Sequence, residues 1–92
     1  MSEEGYLLEM CSGRAAWTVI PDAIDSIDLA IVSVKVEADG WECTLRNRLC
    51  YTFSGKAEIT LYPSGKLLVK CEDENIAADI AKMHITNWLA PD

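Results

Sequence analysis

The spacing of turn signals constrains this 92-residue chain more than any other feature. Ser12-Gly13, Asp39-Gly40, Arg46-Asn47-Arg48, Ser54-Gly55 and Pro63-Ser64-Gly65 punctuate it, with alternating apolar runs between them. Such alternation, bounded by glycine, proline and aspartate, predicts short antiparallel strands. A strand repeats every two residues, so a slip of one residue sends its apolar set to the wrong side. Each hairpin can therefore be tested against the next.

The hairpins agree on one face. Val32, Val34 and Val36 alternate with polar residues, and a tight turn at Asp39-Gly40 pairs Val36 with Cys43 and Val34 with Leu45, placing Trp41 alongside. A three-residue loop at 46–48 sets Leu45 opposite Leu49 and Cys43 opposite Tyr51. Another at 54–56 sets Phe53 opposite Ala57, Tyr51 opposite Ile59 and Leu49 opposite Leu61. The last turn, with Gly65 in the left-handed position, pairs Leu61 with Leu67, Ile59 with Val69 and Ala57 with Cys71.

A cover for that face follows directly. Asp73 can cap a helix from 74 to about 89, with Ile76, Ala77, Ile80, Ala81, Met83, His84 and Trp88 on one arc and Pro91 just beyond its end. Upstream, residues 6–11 and 14–20 suit a hairpin with Tyr6, Leu8, Met10, Ala15, Trp17 and Val19 on one side. Pro21-Asp22 suits the start of a short helix carrying Ile24, Ile27 and Ile31 on one side and Asp22, Asp25 and Asp28 on another. The expected fold is one α+β domain over residues 1–92. It holds an antiparallel meander of about five strands, an N-terminal hairpin, a short helix and a long C-terminal helix packed on one face.

Composition and the strand faces narrow the chemistry. Half the residues are hydrophobic and a quarter charged, a globular mixture, and the longest apolar run (29–32) is far too short to cross a membrane. The start, Met-Ser-Glu-Glu, lacks the basic and apolar regions of a signal peptide, so a cytoplasmic protein with reduced thiols is expected. Cys43 and Cys71 share the core side three strands apart, about 14 Å at the usual strand spacing, too far for a disulfide. Cys50 faces the other way, so no four-cysteine metal site forms. His84, the only histidine, falls mid-arc on the C-terminal helix, where a core residue bonded to a backbone carbonyl is expected rather than a catalytic base. The carboxylates at 22, 25, 28 and 72–74 suit a solvated acidic face and helix capping. Hydrolase motifs and phosphate-cradling glycine loops are absent, so neither an enzyme nor a cofactor nor a metal is expected.

Charge is unevenly placed within the net −7. Residues 43–70 hold five bases against Glu58 alone, while both flanks are acidic. On the strand alternation, the face away from the helix carries Arg46, Arg48, Lys56, Tyr62, Lys66, Leu68 and Lys70 among threonines and serines. A basic sheet surface bearing an aromatic can hold nucleic acid through phosphate contacts and stacking. The protein's negative balance opposes that at long range, within the limits of screening.

The run Leu61-Tyr62-Pro63-Ser64-Gly65-Lys66, then a strand, then an acid-capped helix, resembles the end of one repeat of the TATA-binding-protein family. The resemblance covers about residues 57–89. It implies a curved antiparallel sheet with helices on the convex side and DNA on the concave face. By match of motif Tyr62 falls where that family has a wedging phenylalanine, and Gly65 and Lys66 match its turn. The chain departs from the family in having one repeat, a tyrosine for the phenylalanine and an acidic balance, so the resemblance implies a homodimer if a full saddle is to form.

Two functions are therefore expected in competition. One is a self-associating interaction module, or one that binds another protein, through Ile85 and Leu89, which extend the apolar arc of the C-terminal helix beyond what one sheet face needs. The other is a nucleic-acid-binding half-saddle using Arg46, Arg48, Lys56, Tyr62, Lys66 and Lys70.

Overall fold

A computed structural model describes residues 6–10, 16–21 and 26–89 of the chain. Six strands form one antiparallel sheet: β1 (Tyr6–Met10), β2 (Trp17–Pro21), β3 (Glu42–Arg46), β4 (Tyr51–Ser54), β5 (Glu58–Leu61) and β6 (Leu67–Lys70). Their spatial order is β1-β2-β6-β5-β4-β3. The chain thus makes the β1–β2 hairpin, crosses to the far edge and returns as a four-strand meander that closes against β2. Helix α1 (Leu29–Ala38) makes the crossing, and helix α2 (Glu74–Met83) follows β6 and continues into a π-helical turn, His84–Trp88. The α+β class and the antiparallel sheet are as expected, and no helix among the described residues is long and apolar enough to cross a membrane.

The core lies between the sheet and both helices. Val19, Phe53, Ile59, Leu61, Leu67 and Val69 from the sheet are fully buried with Ala77, Ala81 and Trp88 from the C-terminal helix. Val32 and Val36 from α1 join the same cluster. β1 and β2 pair Tyr6 with Pro21, Leu8 with Val19 and Met10 with Trp17, keeping the expected parity. The expected turn at Ser12-Gly13, the strand residues 14–15 and the acidic helix start at 22–25 lie outside the described residues.

The largest correction concerns residues 32–36, which form a helix and not a strand. Two terminal signals outweigh the β-branched alternation there. Asp28 caps the helix, its Oδ1 accepting from the Ala30 amide at 3.0 Å and the Ile31 amide at 3.4 Å. At the other end Gly40 adopts φ +98° and its amide bonds the Glu37 carbonyl at 3.0 Å, a conformation that glycine takes without steric cost. Val32, Ser33 and Val36 make the buried stripe. The sheet consequently loses its expected first meander strand, and the pairs Val36–Cys43 and Val34–Leu45 do not form.

Two registers also differ. β4 and β5 pair Phe53 with Ile59 and Tyr51 with Leu61, two residues from the expected alignment, so the faces survive. Gly55, in the turn between them, sits against Trp41, where a Cβ would fall 2.6 Å from the indole. β3 begins by pairing Cys43 with Phe53, but a bulge then sets Leu45 opposite Thr52 and Arg46 opposite Tyr51. One extra residue reverses the alternation, sending Leu45 to the face away from the helices and Arg46 to the helix side. Leu49 leaves the ladder and is 76% exposed. The β5–β6 hairpin has the expected pairs Ile59–Val69 and Leu61–Leu67, with Gly65 at φ +93°.

Candidate functional site

The six basic and aromatic residues of the expected nucleic-acid surface do not share one face. Beyond the bulge, Arg46 reaches toward α1, with Nη2 3.7 Å from Glu37 Oε2 and its guanidinium 5.2 Å from the Tyr51 ring centroid. Arg48 lies in the loop after β3 and lines an open depression of about 620 Å³ beside the start of α1. Asp28 already occupies the first amides of that helix, so the depression offers an anion little. Lys56 sits on the β4–β5 turn, across from α2. Only Tyr62, Lys66 and Lys70 remain together on the far face. There Lys66 Nζ lies 4.9 Å from the Tyr62 centroid and Lys70 pairs with Glu58 at 3.6 Å.

The centre of the far face is threonine and aliphatic rather than basic. The register lines up Thr18, Leu68, Thr60, Thr52 and Leu45 across five strands. Thr52 and Thr60 are buried, with their hydroxyls 3.3 Å apart, and Thr44 Oγ1 donates to the Thr52 carbonyl at 3.3 Å. Cross-strand threonine pairs of this kind stabilise a sheet by roughly 0.2–1 kcal/mol.

Ile85 and Leu89, the expected partner surface, are partly buried and pack on the core from the π-helical turn and the residue that ends it. Among the described residues Ile20, Ile31, Val34, Leu45 and Leu49 are the large apolar side chains that are exposed, and two of them lie one turn apart on α1. Ile31 is 57% and Val34 65% exposed, with Ala30 and Ala38 one turn to either side of Val34. Reading 32–36 as a strand hid this face, because it turned Val34 inward. The available signal was the aspartate before and the Asp-Gly after a ten-residue segment, helix punctuation that outranks alternation.

His84 is fully buried, with Nε2 donating to the Gly65 carbonyl at 2.8 Å, the core role expected of it. Its Nδ1 has no partner among the described residues, and burial holds its pKa down to about 4, so it is neutral. Cys43, Cys50 and Cys71 are free thiols, and no group of three metal-binding side chains occurs among the described residues.

Among the described residues a second, more enclosed concavity is a cleft of about 140 Å³ between the end of α1, the β4–β5 turn and α2, lined by Asp39, Trp41, Lys56, Asp79, Ile80 and Met83. Its walls are fixed from behind. Trp88 Nε1 donates to Asp39 Oδ2 at 2.6 Å, and the Trp88 ring meets Trp41 edge-on at 5.9 Å.

Comparison with protein-family models, with curated proteins and with solved structures finds no match for the chain.

Proposed function

We propose that the chain is a non-enzymatic interaction module that pairs with a second copy of itself through the outer face of α1. The observation that carries this is the exposure of Ile31 and Val34 on a helix that is apolar on nearly every side. A mostly apolar helix belongs in a buried setting, and here only Val32, Ser33 and Val36 are buried.

A second copy fits that face better than an unrelated partner. The exposed positions 30, 34 and 38 are symmetric about Val34, so an antiparallel α1 pair sets Ala30 of each copy against Ala38 of the other. Such a contact is isologous and closes at two. Positions 30, 34 and 38 carry no charge, and Glu37, which flanks this row, is paired with Arg46 at 3.7 Å and faces Ile31 of the other copy in the antiparallel arrangement. Helix dipoles also oppose favourably in that arrangement. The row spans about 12 Å at the helical rise, so the dimer is weak and concentration-dependent. Sedimentation velocity across a wide concentration range should show monomer–dimer exchange, abolished by combining Ile31→Lys with Val34→Lys. A wild-type chain that stays monomeric at millimolar concentration excludes this function.

The nucleic-acid alternative is favoured by one pair, Lys66 over Tyr62 on the far face, in the hairpin that resembles the TATA-binding-protein repeat. With Lys70 beside them, three residues could take phosphate and base, giving weak, salt-sensitive binding. Amide shifts confined to 62–70 on adding duplex DNA at low salt, and reversed by salt, would favour it. Unchanged binding after Lys66→Glu with Lys70→Glu excludes it.

A further inference from the structure

We propose that the Trp41 cleft is a receptor for an arginine side chain presented by a partner peptide, independent of the α1 surface. The cleft combines an apolar floor (Trp41, Ile80 and Met83) with two carboxylates at its rim, Asp39 and Asp79. Trp41 and Ile80 are buried while both aspartates are exposed, so the site is apolar below and anionic above. That gradient matches a side chain with a long aliphatic stem and a cationic head, which lays its methylenes on apolar surface and keeps its charge at the wet end.

Arginine suits this site better than lysine for two reasons. A guanidinium is planar and lies favourably on an indole, and its fork of donors can engage carboxylates on two sides. It is also more weakly hydrated than an ammonium, so partial burial penalises it less.

The receptor is built before any ligand arrives. The Trp41 ring is pinned by Gly55, at which a Cβ would lie 2.6 Å from the ring. Trp88 meets it at 90° and holds the Asp39 carboxylate through the 2.6 Å hydrogen bond. Two rigid walls cost little ordering on binding. Lys56 at the same rim is the opposing element, a cation that repels the incoming head and leaves the cleft with net charge −1. The site therefore has one residue whose loss should weaken binding and one whose loss should strengthen it.

The test is an amide and indole NMR titration of the full chain at low salt with N-acetyl-arginine-amide, N-acetyl-lysine-amide and N-acetyl-citrulline-amide. Saturating shifts at Trp41 and residues 79–83 are expected with arginine, smaller ones with lysine and none with the neutral citrulline. Asp79→Asn should weaken arginine binding about threefold and Lys56→Gln should tighten it by a similar factor, as expected of exposed charge pairs. Both positions are exposed, and an unchanged amide spectrum of each variant verifies its fold. Equal shifts with citrulline, no saturation with arginine, or the same affinity in both variants as in the wild type would overturn the proposal.

Discussion

Helices α1 and α2 lie on one face of one sheet, have ten residues each and are each capped by an aspartate, yet they present opposite surfaces to solvent. Beyond its buried stripe of Ala77, Ile80 and Ala81, α2 shows Glu74, Asn75, Asp79 and Lys82. Beyond its own stripe of Val32, Ser33 and Val36, α1 shows Ala30, Ile31, Val34 and Ala38 together with Glu37. Both helices bury what the sheet requires. The difference lies in the residues outside each buried stripe, and it is this difference that the proposed α1 pairing would use.

The strongest way to break this comparison is to remove the side chain that joins the two helical regions. Trp88→Ala empties a fully buried site and frees Asp39 at the end of α1. A loss of about 3–5 kcal/mol is expected in urea unfolding. A loss under about 1 kcal/mol would mean that α1 and the π-helical turn are not coupled through this contact.

Acid should act next, through His84 at the end of the C-terminal helix. Burial lowers the pKa of His84 from its ordinary value near 6.5 to about 4. The unfolded chain thus binds a proton between those values while the folded chain does not. Stability from the neutral imidazole is complete above about 6.5 and falls as pH drops toward 4, by about 3 kcal/mol at most. Unfolding curves across that window should steepen this way in the wild type and flatten in His84→Asn.

The two caps sharpen the comparison, because they should be equal. Asp28 bonds the Ala30 and Ile31 amides and Asp73 bonds the Asn75 amide at 2.8 Å. Replacing either with alanine should cost about 1 kcal/mol. A negligible effect at Asp28 alone would show that packing, not punctuation, makes 29–38 helical. The smallest effect belongs to the outer face of α1. Ile31→Lys with Val34→Lys should change the monomer's unfolding free energy by less than about 0.5 kcal/mol while removing association.

Legibility in the sequence followed the local strength of each signal. The 61–67 hairpin was readable to the residue because Pro63-Ser64-Gly65 admits few turns and Ile59, Leu61, Leu67 and Val69 admit one register. The C-terminal helix was readable over Glu74–Met83 because its arc is amphipathic, but the expected α-helix to about 89 ends at Met83 and gives way to a π-helical turn over His84–Trp88. Residues 32–36 were not, since β-branched alternation and a two-sided apolar helix leave the same pattern, and only Asp28 and Gly40 distinguish them. The β3 bulge carries no residue signature at all, so the places of Arg46 and Leu45 could come only from the three-dimensional pairing. The Trp41 cleft joins the end of α1, the β4–β5 turn and α2, and no local window holds them together.

The bulge also bears on how this protein fails. β3 is the last strand of the sheet, and an unpaired edge is a template on which other chains can grow as fibrils. An irregular spacing between Cys43 and Leu45 makes that template a poor match for a regular incoming strand, and Glu42 and Arg46 add charge at its two ends. Open-ended growth is thereby discouraged at one margin of the molecule, whatever the outer face of α1 binds.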